Sequence, residues 1–114
     1  MRIIAGSLGG RQFEDPKGHK VHPMGEKIRG ALFNVLGDIT DLTVLDAFAG
    51  SGALGFEALS RGASHATLIE SDRSAQQSIE QSIEILGGGN QLKLIHASCG
   101  VWSDNNAEAI YDIV

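Results

Sequence analysis

The sequence is 114 residues long, 42% hydrophobic and 20% charged, which is the balance of one compact water-soluble domain and too short for two. No apolar run reaches the ~20 residues of a membrane helix, the opening apolar stretch is too short for a signal peptide, and Cys99 is the single cysteine, which excludes an internal disulfide and fits a reducing cytoplasm. The net charge of −5 is uneven: residues 1–30 carry six basic and three acidic side chains and the remainder three and eleven, so a basic arm precedes an acidic body.

The arm comes first in the chain. Segments 2–5 and 11–14 flank Gly6-Ser7-Leu8-Gly9-Gly10 and read as a small hairpin around a Gly-rich turn. Asp15-Pro16-Lys17-Gly18 is a second turn, so residues 1–22 are expected as an appendage and residues 23–114 as the domain proper. Arg2, Arg11, Lys17 and Lys20, with His19 and His22, make this arm a candidate RNA-phosphate contact, and a solvated charged surface is the alternative.

From Met24 to Leu36, apolar residues at Met24, Ile28, Ala31, Leu32, Val35 and Leu36 recur in steps of three and four, predicting an amphipathic helix ended by Gly37. Thr43–Ala47 reads as a buried strand, Ala53–Ser60 as a short helix stopped by Gly62, and Ala66–Glu70 as a second strand. A helix over 72–86 is capped by Asp72 and closed by Gly87-Gly88-Gly89, with Ile79, Ile83 and Leu86 on one face. Leu92–Ala97 is a third strand, a weaker helix covers Val101–Ala109, and residues 111–114 begin a fourth strand. Strands and helices alternating in this way predict an α/β fold, a parallel sheet with right-handed helical crossovers.

The run most informative about chemistry is Val44-Leu45-Asp46-Ala47-Phe48-Ala49-Gly50-Ser51-Gly52-Ala53-Leu54-Gly55, which leaves a strand, turns through glycines and enters a helix. Gly50, Gly52 and Gly55 match G-x-G-x-x-G, and Glu70 ends the next strand where an acid would accept ribose hydroxyls. The glycines alone leave open a ligand-free turn, and Glu70 alone leaves open an acid set against a helix N-terminus. Asp46, four residues before Gly50, bears on the cofactor. A carboxylate there repels a pyrophosphate and attracts the ammonium and sulfonium of S-adenosylmethionine. The helix before the first strand points the same way, since a dinucleotide domain usually begins with the strand. A nicotinamide oxidoreductase domain is the weaker alternative.

Several of these pieces together resemble one family. Met1-Arg2-Ile3-Ile4-Ala5-Gly6, Gly10-Arg11, Pro23, Lys27-Ile28-Arg29, Ala31-Leu32-Phe33-Asn34-Val35-Leu36-Gly37, the Asp46–Gly55 run, Glu57-Ala58-Leu59-Ser60-Arg61-Gly62-Ala63 and Glu70-Ser71-Asp72-Arg73 are similar to the RsmD family of bacterial 16S rRNA guanine-N2 methyltransferases. The resemblance covers nearly the whole chain. It implies a Rossmann-like S-adenosylmethionine-dependent methyltransferase fold with an N-terminal β-hairpin appendage, a cytoplasmic location, and 16S rRNA or a small-subunit ribosomal particle as partner. It implies no metal and no membrane, and a monomer at full length. By the same resemblance Asp46, Gly50, Ser51 and Gly52 line the methionine end of the cofactor, Glu70 takes the ribose, and Arg29 and Asn34 reach the methionine portion from the preceding helix.

This sequence departs from the family pattern in three places. His96-Ala97-Ser98-Cys99 puts Ser98 where an acid often binds the adenine amino group, a weaker neutral hydrogen bond. Pro23-Met24-Gly25-Glu26 replaces the usual Pro-Thr-Ser-Asp. No proline follows Pro23, so the Asn/Asp-Pro-Pro-aromatic motif that holds the target base is missing, and a C-terminally truncated, inactive fragment is expected. A DNA or other RNA amine methyltransferase, or a non-catalytic cofactor-binding module, is the alternative. Cys99 reads as a small buried residue, Trp102 and Tyr111 as packing or base-stacking rings, and the histidines lack metal-ligand spacing.

Overall fold

A computed structural model describes residues 2–12, 25–87, 90–105 and 111 of the chain. Its elements run α1 (Glu26–Leu36), β1 (Thr43–Asp46), α2 (Ala53–Ser60), β2 (His65–Glu70), α3 (Arg73–Leu86), β3 (Leu92–His96) and α4 (Cys99–Asn105). The strands form one parallel sheet in the order β1-β2-β3, with Thr43 level with His65 and Ala66 level with Leu92. The predicted α/β alternation is thus present. The fourth strand, apart from Tyr111, lies outside the described residues.

The central strand β2 is buried from Ala66 through Ile69, as a strand covered on both faces must be. In α3, Asp72 accepts the Ala75 N–H at 2.9 Å, and the Gly87 N–H closes the other end on the Ile83 carbonyl at 2.8 Å. Between these caps Ala75, Ile79 and Leu86 face the interior. One core cluster gathers Ile3, Phe56, Leu68, Ile79 and Leu92, and a second gathers Phe33, Ile39, Val44, Ala58 and Ala66, with Leu59 packed against both.

Two expectations change here. The described start of the chain is tied to the core: Ile3 is fully buried, and Ile4, Ala5, Ser7 and Leu8 bond to α2. Ser7 N–H donates to the Ser60 carbonyl at 2.8 Å and Leu8 N–H to Ser60 Oγ at 2.9 Å. The segment folds back through a single antiparallel bridge between Arg2 and Gln12 rather than a pair of strands. The second change concerns α1. Its buried residues are Arg29 and Phe33, whereas Ile28 and Val35 of the predicted apolar face are 64% and 85% exposed. A charged side chain takes the inner position because a partner carboxylate waits there, which periodicity of apolar residues cannot reveal.

Toward the other end, the Tyr111 hydroxyl lies 3.2 Å from Thr67 Oγ1, and its ring packs 6.2 Å from that of Trp102, so these aromatics are engaged within the fold. Among the described residues no helix is long and apolar enough to cross a membrane.

Candidate functional site

β1 delivers Asp46 to the mouth of a turn that crosses from the sheet to α2. The turn is fixed by the Ala49 N–H on the Ile69 carbonyl at 3.0 Å and the Gly52 N–H on the Ala49 carbonyl at 2.8 Å. Gly50 and Gly52 hold φ of 58° and 82°, the left-handed region that side-chain-bearing residues disfavour. Gly55 serves differently: a Cβ there would stand 2.3 Å from Leu68 Cδ2, so its bareness lets α2 lie on β2.

Two carboxylates border this turn. Glu70 Oε1 accepts the Gly50 N–H and Oε2 accepts the Asp72 N–H, both at 2.8 Å, which ties the turn to the start of α3. Each oxygen keeps a further lone pair for a hydroxyl donor. Asp46 Oδ1 accepts the Phe48 N–H at 3.3 Å, while Oδ2 is buried and makes no hydrogen bond. Burial pushes the Asp46 carboxyl above the ordinary carboxylate range; the Phe48 N–H opposes this in part, and the negative charge of Glu70 reinforces it.

Among the described residues, Asp46 is the one ionisable residue in the lining of a cavity of about 410 Å³, whose other walls are apolar, among them Leu32, Leu36, Val44, Phe48 and Leu54. Phe48, one residue past the Asp46-Ala47 corner, is 81% exposed.

The remaining predicted residues divide. Ser51 is buried and its Oγ accepts the Ala53 N–H at 3.2 Å, within the turn that leads into α2. Ser98 Oγ accepts the Val101 N–H at 3.2 Å and so begins α4 beyond the end of β3. Asn34 is exposed on α1. Arg29 is not at the turn. It is fully buried, with its Nε 3.4 Å from Glu57 Oε1 and a hydrogen bond to the Arg2 carbonyl. Arg2 is paired with Glu26 at 2.9 Å and Arg11 donates to the Ile85 carbonyl at 2.8 Å, both near the surface. Lys17, Lys20, His19 and His22 lie outside the described residues. No group of three metal-ligating side chains occurs among the described residues.

Sequence reasoning missed Glu57. It is fully buried on α2 and accepts from the N–H groups of Ile4 at 2.9 Å and Ala5 at 3.0 Å and from Arg61 Nε at 2.9 Å. A lone carboxylate inside the otherwise small and apolar helix Ala-Leu-Gly-Phe-Glu-Ala-Leu-Ser was the available signal.

The residues present fit S-adenosylmethionine. A fixed positive charge beside Asp46 would satisfy the orphaned Oδ2 and favour its ionised form, while a diphosphate would meet two carboxylates at short range.

Comparison with known proteins agrees with this geometry. The family described as Conserved hypothetical protein 95 matches residues 1–114. Ribosomal RNA small subunit methyltransferase D of Escherichia coli K12 is 46% identical over 91 residues, covering 79% of this chain and 46% of that protein. The solved structure of yhhF from Escherichia coli superposes with a TM-score of 0.81 at 39% identity, over 90% of this chain and 55% of that one. The C-terminal domain of precorrin-6Y C5,15-methyltransferase from Rhodobacter capsulatus gives a TM-score of 0.71 at 16% identity over 86% of this chain and 49% of that one, a likeness of fold alone. The chain spans about half the length of the curated relatives it matches. Its three parallel strands and their helices are therefore part of a Rossmann-like methyltransferase fold, and the chain belongs to the Conserved hypothetical protein 95 family, the RsmD family.

Proposed function

We propose that this chain holds the cofactor of an S-adenosylmethionine-dependent methyltransferase acting on the guanine N2 amine of 16S rRNA, free or within a small-subunit ribosomal particle, in the cytoplasm. The observation that carries the cofactor assignment is the buried Asp46 Oδ2 left without a hydrogen bond beside a glycine turn. The nucleic-acid assignment is supported by the names of the relatives and by the exposed Arg2 and Arg11. In this reading Lys17 and Lys20 extend the same RNA contact, and the full-length protein is a monomer.

S-adenosylmethionine, when bound, supplies a methyl group on a positively charged sulfur. The chain's own part is to hold and orient it. Asp46, with Gly50, Ser51 and Gly52, faces the methionine end and balances its positive charge. Glu70 accepts from the ribose hydroxyls with the lone pairs that Gly50 and Asp72 leave free, and Ser98 offers the adenine amino group an acceptor. Asn34 approaches the methionine portion from α1. The apolar walls around Asp46 exclude water and strengthen each of these charge contacts.

Calorimetry separates the cofactor readings: S-adenosylmethionine and S-adenosylhomocysteine bind and NAD does not. NAD binding at the turn overturns the assignment. Transfer of labelled methyl groups tests the substrate, with 16S rRNA, small-subunit particles and duplex DNA as acceptors. The chain alone is expected to label none of them. Label appearing in DNA when the whole domain is restored would sink the RNA reading.

A further inference from the structure

We infer that Gln76 is a positioning residue for Glu70, the acid set against the ribose in the function proposed above, and the inference rests on that reading. Glu70 is the last residue of β2, and its carbonyl stands where the sheet ladder gives out. The bond it receives from beyond β3 is a divided one. The Ala97 N–H lies 3.2 Å from the Glu70 carbonyl and 3.1 Å from the Ile95 carbonyl, so neither acceptor has it whole. Gln76 Nε2 donates to the same Glu70 carbonyl at 2.7 Å and supplies what the ladder withholds.

Gln76 reaches this carbonyl from the start of α3, where its own N–H is bonded to the Asp72 carbonyl at 2.9 Å. Asp72 is in turn tied to Glu70, its N–H on Oε2 at 2.8 Å. The bonds close a ring that runs from the Glu70 carbonyl to Gln76, from Gln76 to Asp72, and from Asp72 back to the Glu70 carboxylate. A glutamate side chain has several torsions of its own, and this one must meet the Gly50 and Asp72 N–H groups together. With the backbone of Glu70 pinned, few rotamers satisfy both, and the carboxylate is held ready for a hydroxyl donor. A neutral amide suits the task. It secures the carbonyl without pairing with the carboxylate, as a lysine or arginine in its place would, so the negative charge stays available to the ligand.

The test compares Gln76→Met, which keeps the length and removes the donor, with Gln77→Met, the same change at the exposed neighbour. Calorimetry is expected to show Gln76→Met binding S-adenosylhomocysteine roughly three- to tenfold more weakly, the worth of one neutral hydrogen bond, with methionine binding unchanged. Gln77→Met binds both as the native chain does. In a Glu70→Gln background, Gln76→Met alters the S-adenosylhomocysteine affinity by less than about twofold, because the group it acts through is already changed. Amide exchange quickens at Gly50 and Asp72 more than at Leu68 in the buried middle of β2. Gln76→Ala, a good helix former that also lacks the donor, repeats each measurement so that a poor fit of methionine does not decide the result. A loss of equal size in both backgrounds, a loss shared by methionine, or exchange at Gly50 and Asp72 that only follows Leu68 would each overturn the proposal. If the native chain binds no S-adenosylhomocysteine, the cofactor reading falls, and exchange at those two amides still decides whether Gln76 holds Glu70.

Discussion

Arg29 on α1 and Glu57 on α2 face each other at 3.4 Å with neither side chain reaching solvent, a charge pair closed inside the protein. The same carboxylate takes the backbone N–H groups of Ile4 and Ala5 and the Arg61 side chain, so three segments of the chain converge on one acid. Glu57→Ala strands a buried guanidinium and two N–H donors. The loss expected is about 3–5 kcal/mol, the usual cost of removing one partner of a buried pair. Urea unfolding of the variant measures it, and a change under about 1 kcal/mol would show the cluster to be dispensable.

Asp46→Asn separates stability from binding. Burial raises the Asp46 pKa in the folded chain above its unfolded value, so the folded state binds a proton more tightly. Stability therefore falls as pH rises from the unfolded value of 3.8 through the higher folded one. At neutral pH the asparagine variant without ligand is expected to melt higher than the native chain, with the difference vanishing in acid below the unfolded pKa. Its affinity for S-adenosylmethionine drops by about tenfold or more, since a paired charge is lost. A variant less stable at pH 7 and equal in affinity contradicts both halves of this expectation.

Glu70→Gln keeps one acceptor oxygen and replaces the other by an amide, so one of the N–H groups of Gly50 and Asp72 loses its acceptor. The turn loosens and the ribose loses a charged partner. Calorimetry is expected to record roughly tenfold weaker binding of S-adenosylhomocysteine and a smaller loss for methionine alone, because only the former carries a ribose. Equal losses for the two ligands would move Glu70 out of the ribose role.

Gly6 and Gly10 offer a matched pair, both with φ of +84°. A Cβ on Gly6 would meet the Ser60 carbonyl oxygen at 1.9 Å, whereas one on Gly10 meets nothing within 4 Å. Gly10→Ala costs only the left-handed penalty of about 1–2 kcal/mol. Gly6→Ala costs more and detaches the N-terminal segment, which denaturant melts and amide exchange at Ser7 and Leu8 will register. Equal costs would mean that the segment is not held against α2.

The strands, α2, α3 and the glycine turn were legible from the chain alone because their signals are local. Apolar runs bounded by glycine gave β1 and β2, Asp72 and Gly87 gave both ends of α3, and Asp46 with Glu70 gave the two acids at the turn. What escaped was long-range. The burial of Arg29 depends on Glu57, which lies far along the chain, and no pattern within α1 encodes it. Its predicted apolar face points outward for the same reason, and the opening segment looked peripheral because the contacts of Ile3 with Phe56, Leu68 and Ile79 are all distant in sequence.

The burial of Ile3 also orders events in time. The bonds from Ile4, Ala5 and Leu8 to Glu57 and Ser60 bridge 52 or 53 positions, so residues 4–8 have no home until α2 exists. Closing so long a loop is entropically slow and rewarded only at the end. Residues 3–8 therefore stay unprotected until α2 has formed, and anything that hinders their return burdens this late docking step rather than the assembly of the sheet.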